Sequence, residues 1–349
     1  MRSRGFTVGA AGFAAAGLLV TACGSSGGGT NTAGASTKLV VDSTVAPITD
    51  IVRQVVGDRV ELVGLIPEGV DSHTFEPSPA TVKSLSKADV LFMDGLHLEG
   101  STLTQAEANM ARPVAKPDSP AKSIAAGAKG SEIVRMGDMT ITPSEYAFDF
   151  TFPKSKGDPN PHLWMNPLYA THWSEIVRDV MVRRDPKNAD YYRSNQTRFA
   201  AVIDKLDAAI ADAINSIPKD QKKLLTYHDS FAYFSRRYGI AVIGAVQPSD
   251  FSEPSPKEIQ NLIDQVKVNH VPAIFGSEVF PSTVLRQVAD EAHATYVDKL
   301  RDDELPGDPN AANHTYVGLL VEDVQLMTKA LGGNPSPLSA VSTAKTWRG

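Results

Sequence analysis

At 349 residues with 42% hydrophobic and 21% charged side chains, the chain has the length and composition of a globular protein with room for two ordinary cores. Lys and Arg total 34 against 40 Asp and Glu, a net charge of −6 with no basic run, which argues against nucleic acid as a partner. A single cysteine, Cys23, excludes an intrachain disulfide framework, so stability has to come from a large core or from bound metal.

Arg2 and Arg4 precede an apolar, Ala-rich run over residues 6–20, the pattern of an export signal and too short to span a bilayer. The run closes on VTAC, which resembles the bacterial lipobox, where the cysteine is lipidated and begins the mature chain. Residues 24–37, GSSGGGTNTAGAST, read as flexible coil with a reach on the order of 20 Å. The expected layout is a signal peptide over 1–22, a linker over 23–37, and a body tethered by Cys23 to the outer face of the cell membrane.

From Lys38 onward, β-branched runs alternate with helical patterns: KLVVDSTV, APITDIVRQVVG, RVELVGLI, PATVKSLSKA and DVLFMDG. This alternation predicts βα units building a mostly parallel sheet with helices on both faces. Residues 113–161, richer in Pro, Gly and Ser, read as loop and edge strand, and a helix begins near Pro167. Over residues 185–217, Phe199, Ile203, Leu206, Ile210, Ala213 and Ile217 recur at steps of three and four, predicting one helix of roughly 45–50 Å ended by Pro218. The alternation then returns through KLLTY, DSFAYFSRRYG, IAVIGAV, PKEIQNLIDQVKVN, VPAIFG, PSTVLRQVADEAH and ATYVD to a helix over 316–331. The fold class is therefore α/β: an N-terminal lobe over 38–184, a linking helix over 185–217, a C-terminal lobe over 218–334, and a poorly ordered tail over 335–349.

Ligands of open parallel sheets bind beyond the carboxyl ends of the strands. His73 follows RVELVGLI, His228 ends KLLTY, Asp298 ends ATYV, and His162 sits in NPHLWMNP just before a helix. Each residue alone could serve as a loop hydrogen bonder or helix cap. Together, two from each half, three imidazoles and a carboxylate form the donor set of a tetrahedral zinc site between the lobes. His97, His172, His270 and His293 read as structural or surface residues, and His314 keeps an open role. HExxH, GxSxG and P-loop motifs are absent from the sequence.

In this order, HTFEPSPATVKSLSKADVLFMDGLHLEG, PHLWMNP, HDSFAYFSRRYGI, EPSPKEIQNLIDQVK and IFGSEVFPSTVLRQVADEAHATYVD resemble the cluster A-I solute-binding lipoproteins of bacterial ABC importers for zinc and manganese. The resemblance implies metal ligands at His73, His162, His228 and Asp298, an ABC permease as partner, and no enzymatic activity. Manganese members usually carry a carboxylate at the position of His228, so Zn²⁺ is the expected cargo and Mn²⁺ the alternative. Many zinc members have a His-rich loop before the second ligand histidine, whereas residues 122–160 here contain none. Delivery from solution and delivery from a periplasmic or surface zinc chaperone both stay open.

The expected activity is high-affinity extracytoplasmic capture of zinc by a monomer and its transfer to the permease, with small lobe movements because the long helix resists a wide hinge. Competing readings are a zinc hydrolase using Asp298 or Glu76 as base, and a surface adhesin stabilised by metal.

Overall fold

β-branched runs become short parallel strands, and the chain returns from each to the next through a helix. The computed structural model describes residues 38–110, 130–247, 254–277 and 282–348, so the signal segment, Cys23 and the linker lie outside the described residues. The first half contains β1 (Val40–Ser43), α1 (Ala46–Val56), β2 (Glu61–Gly64), α2 (Pro79–Leu85), β3 (Val90–Met93), α3 (Gly100–Asn109) and β4 (Glu132–Arg135). Its strands are all parallel in the order β2-β1-β3-β4. Next come α4 (Pro167–Arg184) and α5 (Ala189–Asn215).

The second half contains β5 (Lys223–Thr226), α6 (Ala232–Tyr238), β6 (Ala241–Ala245), α7 (Pro256–Asn269), β7 (Ala273–Ser277), α8 (Thr283–Ala292), β8 (Thr295–Leu300) and α9 (Tyr316–Ala330). Its parallel sheet has the equivalent order β6-β5-β7-β8. In each sheet the strand order reverses beside the first strand, which opens a crevice beyond the carboxyl ends.

Helix starts follow from local chemistry. Ser78, Asn166, Ser255 and Thr315 each accept a backbone N–H of the following turn, and Pro79, Pro167 and Pro256 stand first in their helices. Ser255 and Glu258 form a reciprocal capping box.

The long helix is shorter than its periodic pattern predicts. Asp185 precedes Pro186 and leaves the helical region, and residues Pro186–Asn188 form a separate 3-10 turn before α5 begins. The 27 residues of α5 span about 40 Å. Phe199, Ile203, Leu206, Ile210 and Ala213 are all fully buried, in one core with Val41 and Phe92 of the first sheet and Leu224 and Phe275 of the second. α5 is thus part of a core common to both sheets.

Two expectations need correction. α3 has no strong apolar stripe, burying only Thr102 and Ala106, and the sequence pattern missed it. The tail, expected to be poorly ordered, packs on the body: Leu338 is fully buried, Thr346 donates to Gln54 Oε1 through both its amide and its hydroxyl, and Arg198 donates to the Thr346 carbonyl.

Candidate metal centre

Three loops deliver the histidines. His73 lies on the loop between β2 and α2, its amide donating to Asp71 Oδ1 at 2.9 Å. His162 immediately precedes the 3-10 turn Leu163–Met165, and its amide donates to Asn160 Oδ1 at 3.0 Å. His228 stands just past β5, where Thr226 Oγ1 donates to its carbonyl at 2.7 Å.

Their Nε2 atoms converge. His73 and His162 are 3.3 Å apart, His73 and His228 3.2 Å, and His162 and His228 2.9 Å. Tetrahedral zinc at about 2.0–2.1 Å from each nitrogen would separate such donors by roughly 3.3–3.4 Å. Among the described residues, these three form the one group of His, Cys, Asp or Glu whose ligand atoms lie close enough together to hold a cation.

The remaining ring nitrogens set which tautomer is presented. His162 Nδ1 lies 2.8 Å from Asn160 Oδ1, and His228 Nδ1 lies 2.5 Å from Gln247 Oε1. An amide oxygen only accepts, so each Nδ1 carries the proton and donates, leaving the Nε2 lone pair directed at the centre. Asn160 is itself oriented, because its Nδ2 donates to the Asp229 carbonyl at 2.6 Å.

Aromatic rings enclose the triad. The Phe152 centroid lies 5.5, 5.8 and 6.5 Å from those of His73, His162 and His228, and Trp164 stands edge-on to His162 at 5.1 Å. Burial holds His73 and His162 well below the usual imidazole range, with the neighbouring imidazoles adding to the effect. Both therefore stay neutral and ready to donate to metal.

The structure does not bring Asp298 to this cluster. β8 runs on to Leu300, past the end that the sequence suggested, so Asp298 lies within the strand. Its side chain is 51% exposed and faces Arg286 at 3.6 Å. A different carboxylate, Asp303 on the loop just beyond β8, lines a cavity with His73 and His228 but falls outside the close group formed by the three histidines. A cavity of about 180 Å³ is lined by Asp71, His73, Tyr227, His228, Gln247, Asp302 and Asp303.

Asp303 Oδ2 accepts from Ser72 Oγ at 2.5 Å, while its buried Oδ1 has no hydrogen-bond partner among the described residues. Burial pushes its pKa up to about 7, against the opposing pull of His228. An uncompensated buried oxygen in a cavity shared with His73 and His228 suits a cation. Its loop is held in place: Gly69 N–H donates to Glu304 Oε1, Leu305 N–H to Glu68 Oε2, and Trp164 Nε1 to the Asp302 carbonyl. The sequence signal is the acidic run Asp302-Asp303-Glu304 just past the end of β8.

Other candidates lie elsewhere. Glu76 accepts from Ser101 on the surface, His97 is 68% exposed, His172 pairs with Glu175, and His270 and His293 cap α7 and α8 with positive φ. His314 pairs with Glu68 at 3.1 Å, joining the loop before His73 to the segment before α9.

A family model described as zinc-uptake complex component A, periplasmic, matches residues 41–330. The chain belongs to that family. The metal ABC transporter substrate-binding lipoprotein FimA of Streptococcus parasanguinis is 28% identical over 291 residues, covering 83% of this chain and 86% of FimA. The manganese ABC transporter substrate-binding lipoprotein PsaA of Streptococcus pneumoniae is 26% identical over 279 residues, covering 79% of this chain and 84% of PsaA. Among solved structures, the periplasmic zinc binding protein TroA from Treponema pallidum matches with a TM-score of 0.71 at 25% identity, covering 84% of this chain and 99% of TroA. This family member is a metal-binding, substrate-binding protein of an ABC importer and not an enzyme, which sets the hydrolase reading aside.

Proposed function

We propose that the chain captures Zn²⁺ outside the cell through His73, His162, His228 and Asp303, and passes it to the permease of an ABC importer. The observation that carries this reading is the convergence of three Nε2 atoms at 2.9–3.3 Å, two of them with their tautomer set by an amide oxygen. Borderline zinc takes nitrogen donors readily, whereas harder manganese favours oxygen. Asp303, in place of Asp298, supplies the fourth donor and the negative charge.

Capture needs little proton release from His73 and His162, because burial already keeps them neutral. The proton that metal displaces first is the one on Asp303, whose pKa of about 7 leaves it partly protonated near neutrality.

Lipidated Cys23 would tether the body to the outer face of the membrane, in line with the lipoprotein names of FimA and PsaA. Zinc would reach it from solution or from a chaperone. Manganese is the second reading, favoured by the name of PsaA and by the acidic cavity beside the triad. Competition titrations with a chelator of known affinity separate the two. The zinc reading expects one Zn²⁺ per chain, held far more tightly than Mn²⁺; tighter Mn²⁺ binding would reject it.

A further inference from the structure

The triad has two unlike faces. One opens on the 180 Å³ cavity, where Asp71, Asp302 and Asp303 supply carboxylates and His73 and His228 form part of the wall. Phe152 takes no part in that lining. Its ring instead packs within 5.5–6.5 Å of all three imidazole centroids. Phe152 is 7% exposed and Phe150, two residues earlier, is 46% exposed, so this segment reaches the surface next to the triad.

The ring is also held. Thr151 N–H donates to Asp229 Oδ2 at 2.9 Å, Thr151 Oγ1 donates to the Gln247 carbonyl at 2.8 Å, and Asp149 N–H donates to the Phe152 carbonyl at 3.0 Å. Asp229 adjoins His228 in sequence, and Gln247 holds its ring. A side chain from the first half is thereby fastened to the second half, directly beside a proposed ligand.

We propose that Phe152 is a plug that closes one face of the metal centre, so that the cation enters and leaves through the carboxylate-lined cavity and not past the Phe152 ring. An apolar ring offers a hydrated dication no oxygen to exchange for its waters, whereas Asp71, Asp302 and Asp303 do. The plug sets the rate of exchange and contributes no bond to the bound cation. The inference rests on metal binding at the triad, but not on zinc being the metal.

Stopped-flow association and chelator-driven release, measured with Zn²⁺ on wild type, Phe152→Ala and Thr151→Val, test it. A second route lowers the barrier in both directions, so Phe152→Ala should raise the on-rate and the off-rate by the same factor, about tenfold or more, with little change in Kd. Thr151→Val, which only loosens the plug, should move both rates the same way by less. Asp71→Asn should slow association at low ionic strength and lose that effect in high salt. An off-rate that rises alone with Kd in proportion, or rates unchanged in both Thr151→Val and Phe152→Ala, overturns the proposal. Should wild type prefer Mn²⁺, the zinc reading falls, and the same variants measured with Mn²⁺ decide the plug.

Discussion

At the scale of single residues, the centre depends on groups that never touch the cation. Gln247 Oε1 holds His228 Nδ1–H, so Gln247→Leu should release the ring to its other tautomer and weaken zinc binding by about 10–100-fold. Nitrogen NMR of the metal-free protein should show the tautomer of His228 changing in parallel; unchanged affinity and tautomer would reject the role.

Asp303 adds a pH dependence of its own in the proposed site. Its folded pKa lies above the ordinary carboxylate range, at about 7, and metal needs the ionised form, so a proton competes as pH falls through that value. The contribution of Asp303 to apparent affinity should be nearly flat above pH 7 and approach a tenfold fall per unit below it. His73 and His162, depressed by burial, add their own competition only well below the usual imidazole range. Asp303→Asn should bind more weakly and lose the slope just below neutrality, as a pH series of competition titrations would show.

The three histidines were legible because each follows or precedes an element whose pattern is plain. The proposed fourth donor was not, because ATYV suggests a strand that ends at Val297. β7 and β8 shift register between Phe275 and Ser277, which pairs Ser277 with Leu300 and extends the strand past Asp298. A shift of register in the partner strand leaves no mark in the TYVDKL sequence.

At the scale of elements, α5 decides how the protein unfolds. Its apolar stripe was visible in the sequence as a repeat of three and four, and its buried positions agree with that repeat. α3 was invisible because Gly100 and Thr104 dilute its pattern, and the packing of the tail depends on distant partners such as Gln54. Since Phe199 shares one core with both sheets, Phe199→Ala should cost about 3–5 kcal/mol and shift a single cooperative transition. Denaturant unfolding followed by circular dichroism and by tryptophan fluorescence checks this; two separated transitions would show that the halves fold independently.

At the scale of the whole molecule, the arrangement sets loops from two sheets against each other over a common core. In the proposed account, metal binding then calls for loop adjustment around Asp303 and no hinge closure. Small-angle scattering should give radii of gyration for metal-free and zinc-loaded protein that agree within about 1 Å, whereas hinge closure of the kind found in other binding proteins would exceed that.

The most direct test of the central claim is anomalous X-ray scattering at the zinc edge from crystals of the loaded protein. The account predicts one peak per chain, about 2.0–2.2 Å from the Nε2 atoms of His73, His162 and His228 and from a carboxylate oxygen of Asp303. A peak bound by Asp298, or no peak among the three imidazoles, would contradict it.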